Sequence, residues 1–219
     1  MKKKLIHSIA ILFLTTVCWA QNVSVKEASY SFGVDVGNSI KALNIENFDV
    51  DKFVEGFRAF FNDSNQIDIQ ANQMILQGFM MELQTQKGEK NRIAGEAFLA
   101  KNKTEPGVVT TESGLQYKIE QEGDGNYPTA ENTISAHYRG TLIDGREFDS
   151  SYKRGAPAEF PLTGVIKGWT EGIPKIKEGG KIKLFIPYEL AYGTQQVPGS
   201  IIEPYSALIF EVELIKIVK

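Results

Sequence analysis

The sequence predicts an α+β chain in which a helical N-terminal part is followed by an antiparallel β-sheet domain with one short helix. Apolar residues recur at helical spacing from about Ser29 to Asn102. Lys101 to Gly107 ends in Pro-Gly, which is typical of a helix exit and a linker. After this linker apolar and polar residues alternate, which is the period of a strand. We therefore expect a helical domain over 21–108 and a β domain over 109–219, with its core at 131–219.

The first twenty residues have the pattern of a secretory signal peptide. Lys2 to Lys4 precede an apolar stretch from Ile9 to Leu14, and Ala20 is a small residue suited to cleavage. We expect residues 1–20 to be removed and the exported chain to begin at Gln21. A membrane anchor is the alternative, but this apolar stretch is shorter than the ~20 residues that a spanning helix needs.

Cys18 is the only cysteine of the chain. A lipid anchor on Cys18 is a further alternative, and Val17 argues against it because lipoprotein signals normally have a small residue before the cysteine. Removal of Cys18 with the leader excludes a disulfide, a thiol nucleophile and a cysteine-based zinc site.

The charge balance argues against nucleic acid as a partner. The chain has 24 Lys and Arg residues against 27 Asp and Glu residues, and cleavage of the leader would remove three lysines. His137 would then be the only histidine, which excludes any mechanism that needs a histidine pair. We expect no metal and no cofactor.

One amphipathic helix is indicated between Asp51 and Phe61, where four phenylalanines recur at i, i+4, i+7 and i+8. Asp49 or Asp51 is suited to cap its start. A shorter helix is indicated from Phe32 to Ile40, with Gly33 and Gly37 four residues apart.

A long helix is indicated by Leu76, Phe79, Met80 and Leu83, which share a face, and by the absence of proline from there to Phe98. Helices this few and elongated cannot bury so much Phe and Met within one chain. The pattern favours a dimerisation module; an ordinary helical subdomain and an adaptable Met-rich binding surface remain alternatives. We expect the Lys- and Glu-rich segment 87–92 to be a solvated helix face.

The second half alternates apolar and polar residues in four segments. These segments contain Leu115/Tyr117/Ile119, Ile134/Ala136/Tyr138, Ile182/Leu184/Ile186 and Leu208/Phe210/Val212/Leu214. Asp144-Gly145 and Gly179-Gly180 mark tight turns. A short helix is expected from Lys167 to Ile173, and Pro174 must end or kink it.

This half resembles the FKBP-type peptidyl-prolyl cis/trans isomerases. Five segments occur in the family's order and approximate spacing: Ala136–Gly140, Gly145–Ser151, Val165–Trp169, Ala191–Gly193 and Leu208–Leu214. With its helical first half the chain is similar to the macrophage infectivity potentiator and FkpA-like subgroup. The resemblance implies a sheet wrapped around a short helix, a homodimer formed by the N-terminal helices, and a location in the periplasm or cell envelope. It also implies that proline-containing unfolded or folding polypeptides are substrates and that macrolide FKBP inhibitors bind.

The resemblance further implies an apolar pocket and a role for each of its residues. Catalytic roles would fall to Tyr138, Phe148, Asp149, Trp169, Tyr192 and Phe210, and substrate-binding roles to Phe160, Val165, Ile166, Ile201 and Ile202. Trp169 would form the floor and Ile201 and Ile202 the flap, while the Tyr192 hydroxyl and the Ile166 amide would bind the substrate carbonyl. Asp149 would orient Tyr138, although a turn-capping role is an alternative for this carboxylate.

Three positions differ from the family pattern or have a structural interpretation. Ala158 stands where many members have an aromatic residue, so the pocket is expected to be wider. The part of the flap that precedes Ile201, residues 194–200, differs in length from that of the compact domain. His137 is interpreted as a hydrogen-bonded structural residue. A binding chaperone with a weak isomerase domain is the alternative function.

Overall fold

The computed structural model describes residues 23–62 and 67–219. The expected signal peptide, with Cys18, lies outside the described residues. The chain forms two compact units, 1–64 and 65–219. Among the described residues, no helix has both the length and the apolar character needed to cross a bilayer.

The first unit contains helices α1 (Val25–Ala42) and α2 (Val50–Asn62). Ser24 caps α1 in a capping box, accepting a hydrogen bond from the Glu27 amide while the Glu27 carboxylate accepts one from the Ser24 amide. Asp49 caps α2 by accepting a hydrogen bond from the Lys52 amide at 2.9 Å. Of the two carboxylates suggested by the sequence, Asp49 is therefore the cap.

The second unit begins with a long helix, α3 (Ile69–Asn102), which Asp68 caps through the Ala71 amide. Three of its residues are buried, Gly88, Gly95 and Asn102. This face of α3 packs against the β domain, so the compact units divide at 64/65 and α3 belongs with the second unit. The sequence had instead placed α3 with the N-terminal helices.

Seven antiparallel strands follow α3. Their bounds are β1 (Val109–Thr110), β2 (Gln116–Gln121), β3 (Thr133–Leu142), β4 (Glu147–Ser150), β5 (Ala158–Pro161), β6 (Lys181–Ile186) and β7 (Leu208–Ile217). The sheet order is β1-β2-β6-β7-β3-β4, and β5 pairs with the N-terminal part of β3. Because β5 and β4 pair with successive parts of β3, the sheet curves around its core, as the resemblance implied.

The core lies between this sheet and helix α4 (Lys167–Gly172). Ile134, Ala136 and Tyr138 are buried, as their alternation predicts. Ile119, which the same pattern assigned to the core side of β2, is instead 36% exposed beside a register shift between β2 and β6. Pro174 lies in a single 3-10 turn after α4, so the helix ends where the sequence indicated.

Candidate active site

Trp169 is held at the centre of the β domain by close packing of α4 on β6. A Cβ added to Gly168 would lie 2.5 Å from Ile186 Cγ2, and one added to Gly172 would lie 2.6 Å from Leu184 Cδ2. These two glycines therefore set the distance between helix and sheet. Trp169 lies between them on α4 and is 3% exposed.

Three aromatic rings contact Trp169 edge-on. The ring centroids of Tyr138, Phe160 and Phe210 lie 5.4, 5.3 and 5.2 Å from that of Trp169, at interplanar angles of 73–85°. Phe148 packs in the same manner on Phe210, at 5.4 Å and 80°. Edge-to-face pairs of this kind add about 0.5–1.5 kcal/mol each beyond area burial. The rings therefore form a rigid aromatic wall.

These rings enclose a cavity of about 580 Å³, a size suited to a small ligand or a peptide side chain. Its lining comprises Tyr138, Phe148, Asp149, Phe160, Gly164, Val165, Ile166, Trp169, Tyr192, Val197, Ser200, Ile202 and Phe210. Most of these side chains are apolar. In the described part of the chain no cluster of three or more His, Cys, Asp or Glu residues is placed to hold a metal ion.

A hydrogen-bonded network lies at the cavity rim. The Tyr138 hydroxyl donates to Asp149 Oδ2 at 2.5 Å, and Arg154 donates both to Asp149 Oδ1 and to the Tyr138 hydroxyl oxygen at 2.5 Å. The Arg154 guanidinium also lies 5.4 Å from the centroid of the Tyr138 ring. The network fixes the Tyr138 ring, which is both a wall of the cavity and a neighbour of Trp169.

The same contacts set the ionisation of these groups. Burial would raise the pKa of the Asp149 carboxyl, but the hydrogen bonds from Tyr138 and Arg154 and the Arg154 charge outweigh burial and lower this pKa below its usual value. Burial and the hydrogen bond to Asp149 raise the pKa of Tyr138, against the opposing effect of Arg154. Asp149 is therefore an anion and Tyr138 a neutral phenol at neutral pH.

Hydrogen-bond donors of Tyr192 and Ile166 at the cavity have no partner within the described residues. Neither the Tyr192 hydroxyl nor the Ile166 backbone N–H donates to any group of the described chain. Burial, followed by the nearby Asp149 charge, raises the pKa of Tyr192, so this hydroxyl keeps its proton at neutral pH. Both groups are available to a carbonyl oxygen in the cavity. The indole Nε1 of Trp169 is also buried without an acceptor among the described residues.

The structure brings ten of the eleven expected site residues to the cavity. Ile201 is the exception, because it is 40% exposed and does not line the cavity, while the neighbouring Ile202 is 3% exposed and does. Ala158 packs on the core and is absent from the cavity lining. His137 contacts the Ser151 hydroxyl at 3.0 Å and stacks on Tyr152, outside the cavity.

Sequence reasoning missed Arg154, Gly164, Val197 and Ser200. Arg154 follows Asp149 by five residues in a turn-rich segment, and no periodicity indicates that its side chain returns to that carboxylate. Val197 and Ser200 lie in the flap that was noted for its unusual length. The irregular flap itself was the available signal.

Two family models match the chain. The model described as FKBP-type peptidyl-prolyl cis-trans isomerase matches residues 125–215, and the domain amino terminal to FKBP-type peptidyl-prolyl isomerase matches residues 25–119. Together they cover the three helices and all of the β domain except residues 120–124 and 216–219.

Similar proteins agree with these matches. FkpA of Escherichia coli strain K12, an FKBP-type peptidyl-prolyl cis-trans isomerase, is 41% identical over 206 residues, which cover 88% of this chain and 75% of the relative. The peptidyl-prolyl cis-trans isomerase Mip of Coxiella burnetii is 39% identical over 97% of this chain and 96% of its own length. The crystal structure of FkpA from Escherichia coli superposes with a TM-score of 0.70, at 38% identity over 90% of this chain and 97% of that one.

Proposed function

Since this chain belongs to the FKBP-type peptidyl-prolyl cis-trans isomerases, we propose that its aromatic cavity binds the proline of an exported, folding polypeptide and lowers the barrier to rotation about the preceding peptide bond. The observation behind this proposal is an aromatic cavity with two donors at its edge, the Tyr192 hydroxyl and the Ile166 amide, that have no partner in the part of the chain that the structure describes. The reaction makes and breaks no covalent bond.

The apolar lining suits the chemistry of the bond. Amide resonance holds an X–Pro bond planar, with a rotation barrier of roughly 18–20 kcal/mol. The charge-separated resonance form is lost as the bond twists, so the twisted amide is less polar than the planar one. A water-poor aromatic cavity therefore favours the twisted state relative to the planar ground state.

The size of the effect assigns the roles. A thousandfold to millionfold acceleration needs about 4–8 kcal/mol, whereas one neutral hydrogen bond contributes about 0.5–1.5 kcal/mol net. Tyr192 and the Ile166 amide together therefore cannot supply the catalysis. We assign most of it to desolvation and shape in the cavity, and assign to the two donors the orientation of the twisted carbonyl.

Asp149 and Arg154 act through Tyr138 in this mechanism. Their network holds the Tyr138 ring against Trp169 and keeps the Asp149 carboxylate from accepting a proton. The rate with a Leu-Pro or Phe-Pro peptide should therefore be nearly constant from about pH 5 to pH 8. A bell-shaped profile in this range would count against the mechanism.

A protease-coupled assay on a prolyl tetrapeptide tests the assignment. Phe210 is 5% exposed and contacts three other aromatic rings, so Phe210→Ala opens the wall at a stability cost of about 3–5 kcal/mol. We expect kcat/KM to fall below one tenth of the wild-type value under conditions in which the variant is folded. Unchanged activity in the folded variant would reject the cavity as the catalytic site.

The N-terminal helices are proposed to form a homodimer. On α2, Phe57 and Phe61 are 56% and 72% exposed, with ring centroids 4.8 Å apart, and a groove between α1 and α2 has a volume of about 560 Å³. An exposed apolar area of this kind commonly marks an association site. A second copy of the chain is the occupant that we propose.

Sedimentation of Phe57→Asp tests the dimer, with Ile215→Asp on β7 as the matched control. Both residues are exposed in the single chain, at 56% and 38%, so we expect both variants to fold, and their urea midpoints check this. We expect the control to sediment as a dimer and Phe57→Asp as a monomer. A wild-type chain that sediments as a monomer would end the proposal.

We further propose that the protein works in the periplasm or cell envelope and binds macrolide inhibitors of this family in the same cavity. Similarity to FkpA and to the outer membrane protein MIP of Legionella longbeachae supports the location. The mass of the protein isolated from its native envelope would report the cleavage site and any lipid on Cys18. Competition between a macrolide and a prolyl peptide would test the shared cavity.

A holding chaperone is the second candidate function. Met74, Leu76 and Met81 on α3 are more than 60% exposed, and a flexible Met-rich surface can adapt to varied unfolded chains. Wild-type protein that prevents client aggregation but leaves prolyl peptides at their spontaneous rate would favour this function over the isomerase.

A further inference from the structure

Helix α3 contacts the segment Glu203–Tyr205, which directly follows the flap residue Ile202. Ile202 lines the cavity, and the residues that follow it at once, Glu203 to Tyr205, contact α3. Asn91 of α3 donates to the Pro204 carbonyl at 3.0 Å and to the Glu203 carboxylate at 3.3 Å. The end of the flap is therefore attached to a helix that contributes no residue to the cavity lining.

Gly88 forms the closest of these contacts. A Cβ on Gly88 would lie 2.9 Å from Tyr205 Cδ2 and 3.1 Å from Tyr205 Cε2. The Tyr205 ring thus lies directly on the backbone of α3. The segment 87–92, expected from its charges to be a solvated face, is in fact partly a packing surface, because Gly88 is buried and Asn91 is half-buried there.

Tyr205 connects this contact to the turn 188–193, which carries Tyr192. Its backbone N–H donates to the Gly193 carbonyl at 2.9 Å, and Gly193 directly follows Tyr192. The Tyr205 ring also packs edge-on against Tyr188, at 5.0 Å, where the same turn begins. One residue therefore contacts α3, the start of the turn and its end.

The backbone of Tyr205 is strained, which indicates a constraint at this position. Its φ is +59°, in the left-handed region, which costs a residue other than Gly roughly 1–2 kcal/mol. This conformation accompanies the N–H bond to Gly193 while the side chain lies on Gly88. Such strain persists only where the surrounding structure holds it in place.

We propose that Tyr205 is a positioning residue for the isomerase reaction, and that α3, through Gly88, holds it in the geometry that places the Tyr192 hydroxyl and the flap residue Ile202 at the cavity. The inference rests on the proposed roles of these two cavity residues. It adds that α3 supports the active site as well as joining it to the N-terminal helices.

Three glycines of α3 provide a matched set of variants in the full-length chain. Gly88→Ala presses on Tyr205, whereas Gly95→Ala presses on the Ala207 Cβ, at 3.1 Å, and does not contact Tyr205. Gly78→Ala meets no atom of residues 23–62 or 67–219 within 4 Å. All three changes raise helix propensity equally. Differences between them therefore report the contact that each methyl group makes.

The measurements are kcat/KM with a Leu-Pro peptide, hydrogen exchange of the Tyr205 and Val197 amides, and the urea midpoint. The Val197 amide is informative because it donates to the Ile202 carbonyl across the flap. We expect Gly88→Ala to lower kcat/KM about two- to twelvefold, the range for one neutral hydrogen bond, and to speed exchange at both amides. Gly95→Ala should lower the urea midpoint and leave kcat/KM and both exchange rates unchanged. Gly78→Ala should leave kcat/KM and both exchange rates unchanged and should not lower the urea midpoint.

Equal kcat/KM in Gly88→Ala and Gly78→Ala would overturn the proposal. A matching loss in Gly95→Ala would also overturn it, because general loosening of α3 would then explain both. If Gly88→Ala does not fold, Tyr205→Phe and Tyr205→Ala replace it: the first keeps the ring and should retain activity, and the second should lose it. Equal activity of these two variants would reject the role of the ring.

The amide exchange separates this inference from the proposed function. An inactive wild-type chain would reject the proposed function. Even then, amide exchange that is faster in Gly88→Ala but not in the other two glycine variants would support the mechanical link from α3 to the flap. Unchanged exchange in an active enzyme would reject the link alone.

Discussion

Removal of the Tyr192 hydroxyl tests how much of catalysis comes from hydrogen bonding. Tyr192 lines the cavity, is 42% exposed, and its hydroxyl has no partner among the described residues. Tyr192→Phe therefore breaks no hydrogen bond among the described residues, and the unfolding free energy should change by less than about 0.5 kcal/mol. The change removes the hydrogen bond that we propose with the substrate carbonyl.

The expected loss of activity follows from the value of one such bond. A neutral hydrogen bond contributes about 0.5–1.5 kcal/mol net, and each ~1.4 kcal/mol is a factor of ten in rate. We therefore expect kcat/KM of Tyr192→Phe to be about two- to twelvefold below wild type. The barrier reduction assigned to the apolar cavity should remain.

The assay is protease-coupled isomerisation of a Leu-Pro tetrapeptide, with Tyr152→Phe as control. The Tyr152 hydroxyl donates to Glu213 at 3.2 Å and its ring stacks on His137, outside the cavity, so its loss should leave kcat/KM unchanged. A loss above a hundredfold in Tyr192→Phe would refute the reasoning, since the hydroxyl would then be the main source of catalysis. No loss at all would remove Tyr192 from the mechanism.

Three further changes have expected outcomes. Gly140→Ala would place a Cβ 2.5 Å from Phe148 Cε2, behind the cavity wall. This overpacking should lower the unfolding free energy measured in urea by about 1–3 kcal/mol and should lower kcat/KM. A gain in stability would contradict the packing. Arg154→Gln removes contacts that lower the pKa of Asp149, so this pKa rises and the carboxylate protonates at higher pH. On acidification, activity should therefore begin to fall at a higher pH than in the wild type. A pH profile identical to wild type would show that the network is not needed. Gln116→Ala leaves the buried side-chain amide of Asn102 on α3 without its acceptor, and this should cost about 1–3 kcal/mol of unfolding free energy at unchanged kcat/KM. Unchanged stability would argue against this contact.

The sequence was most informative where local patterns determine structure. Alternation placed Tyr138 and Phe210 on the inner face of their strands, and the Asp144-Gly145 turn forms with Gly145 at a φ of +87°. The cavity residues were located through the resemblance, since a pattern of buried aromatics does not distinguish a pocket wall from a core. Arg154 was missed because its approach to Asp149 depends on the path of an irregular turn.

The packing of α3 was also missed, although its signal is present in the sequence. Gly88, Asn91, Gly95, Phe98 and Asn102 recur at alternate spacings of three and four, which defines one face of a helix. Two of these residues are glycines and two are polar, so the face is not apolar, and its first part, within 87–92, was interpreted as solvated. For Gly88, Asn91 and Gly95 the partner is the segment around Tyr205, which has no periodicity and is over a hundred residues away, so only the tertiary structure shows this match.

The central claim is that the folded domain speeds prolyl rotation in its aromatic cavity, and exchange NMR of a Leu-Pro peptide measures this rotation directly. Uncatalysed X–Pro bonds interconvert in tens to hundreds of seconds at 25 °C. With a small fraction of the wild-type protein added, we expect interconversion at least about a thousandfold faster per bound peptide, with the acceleration lost when a macrolide fills the cavity. Interconversion at the spontaneous rate, in a sample whose aromatic resonances show an intact fold, would contradict the account.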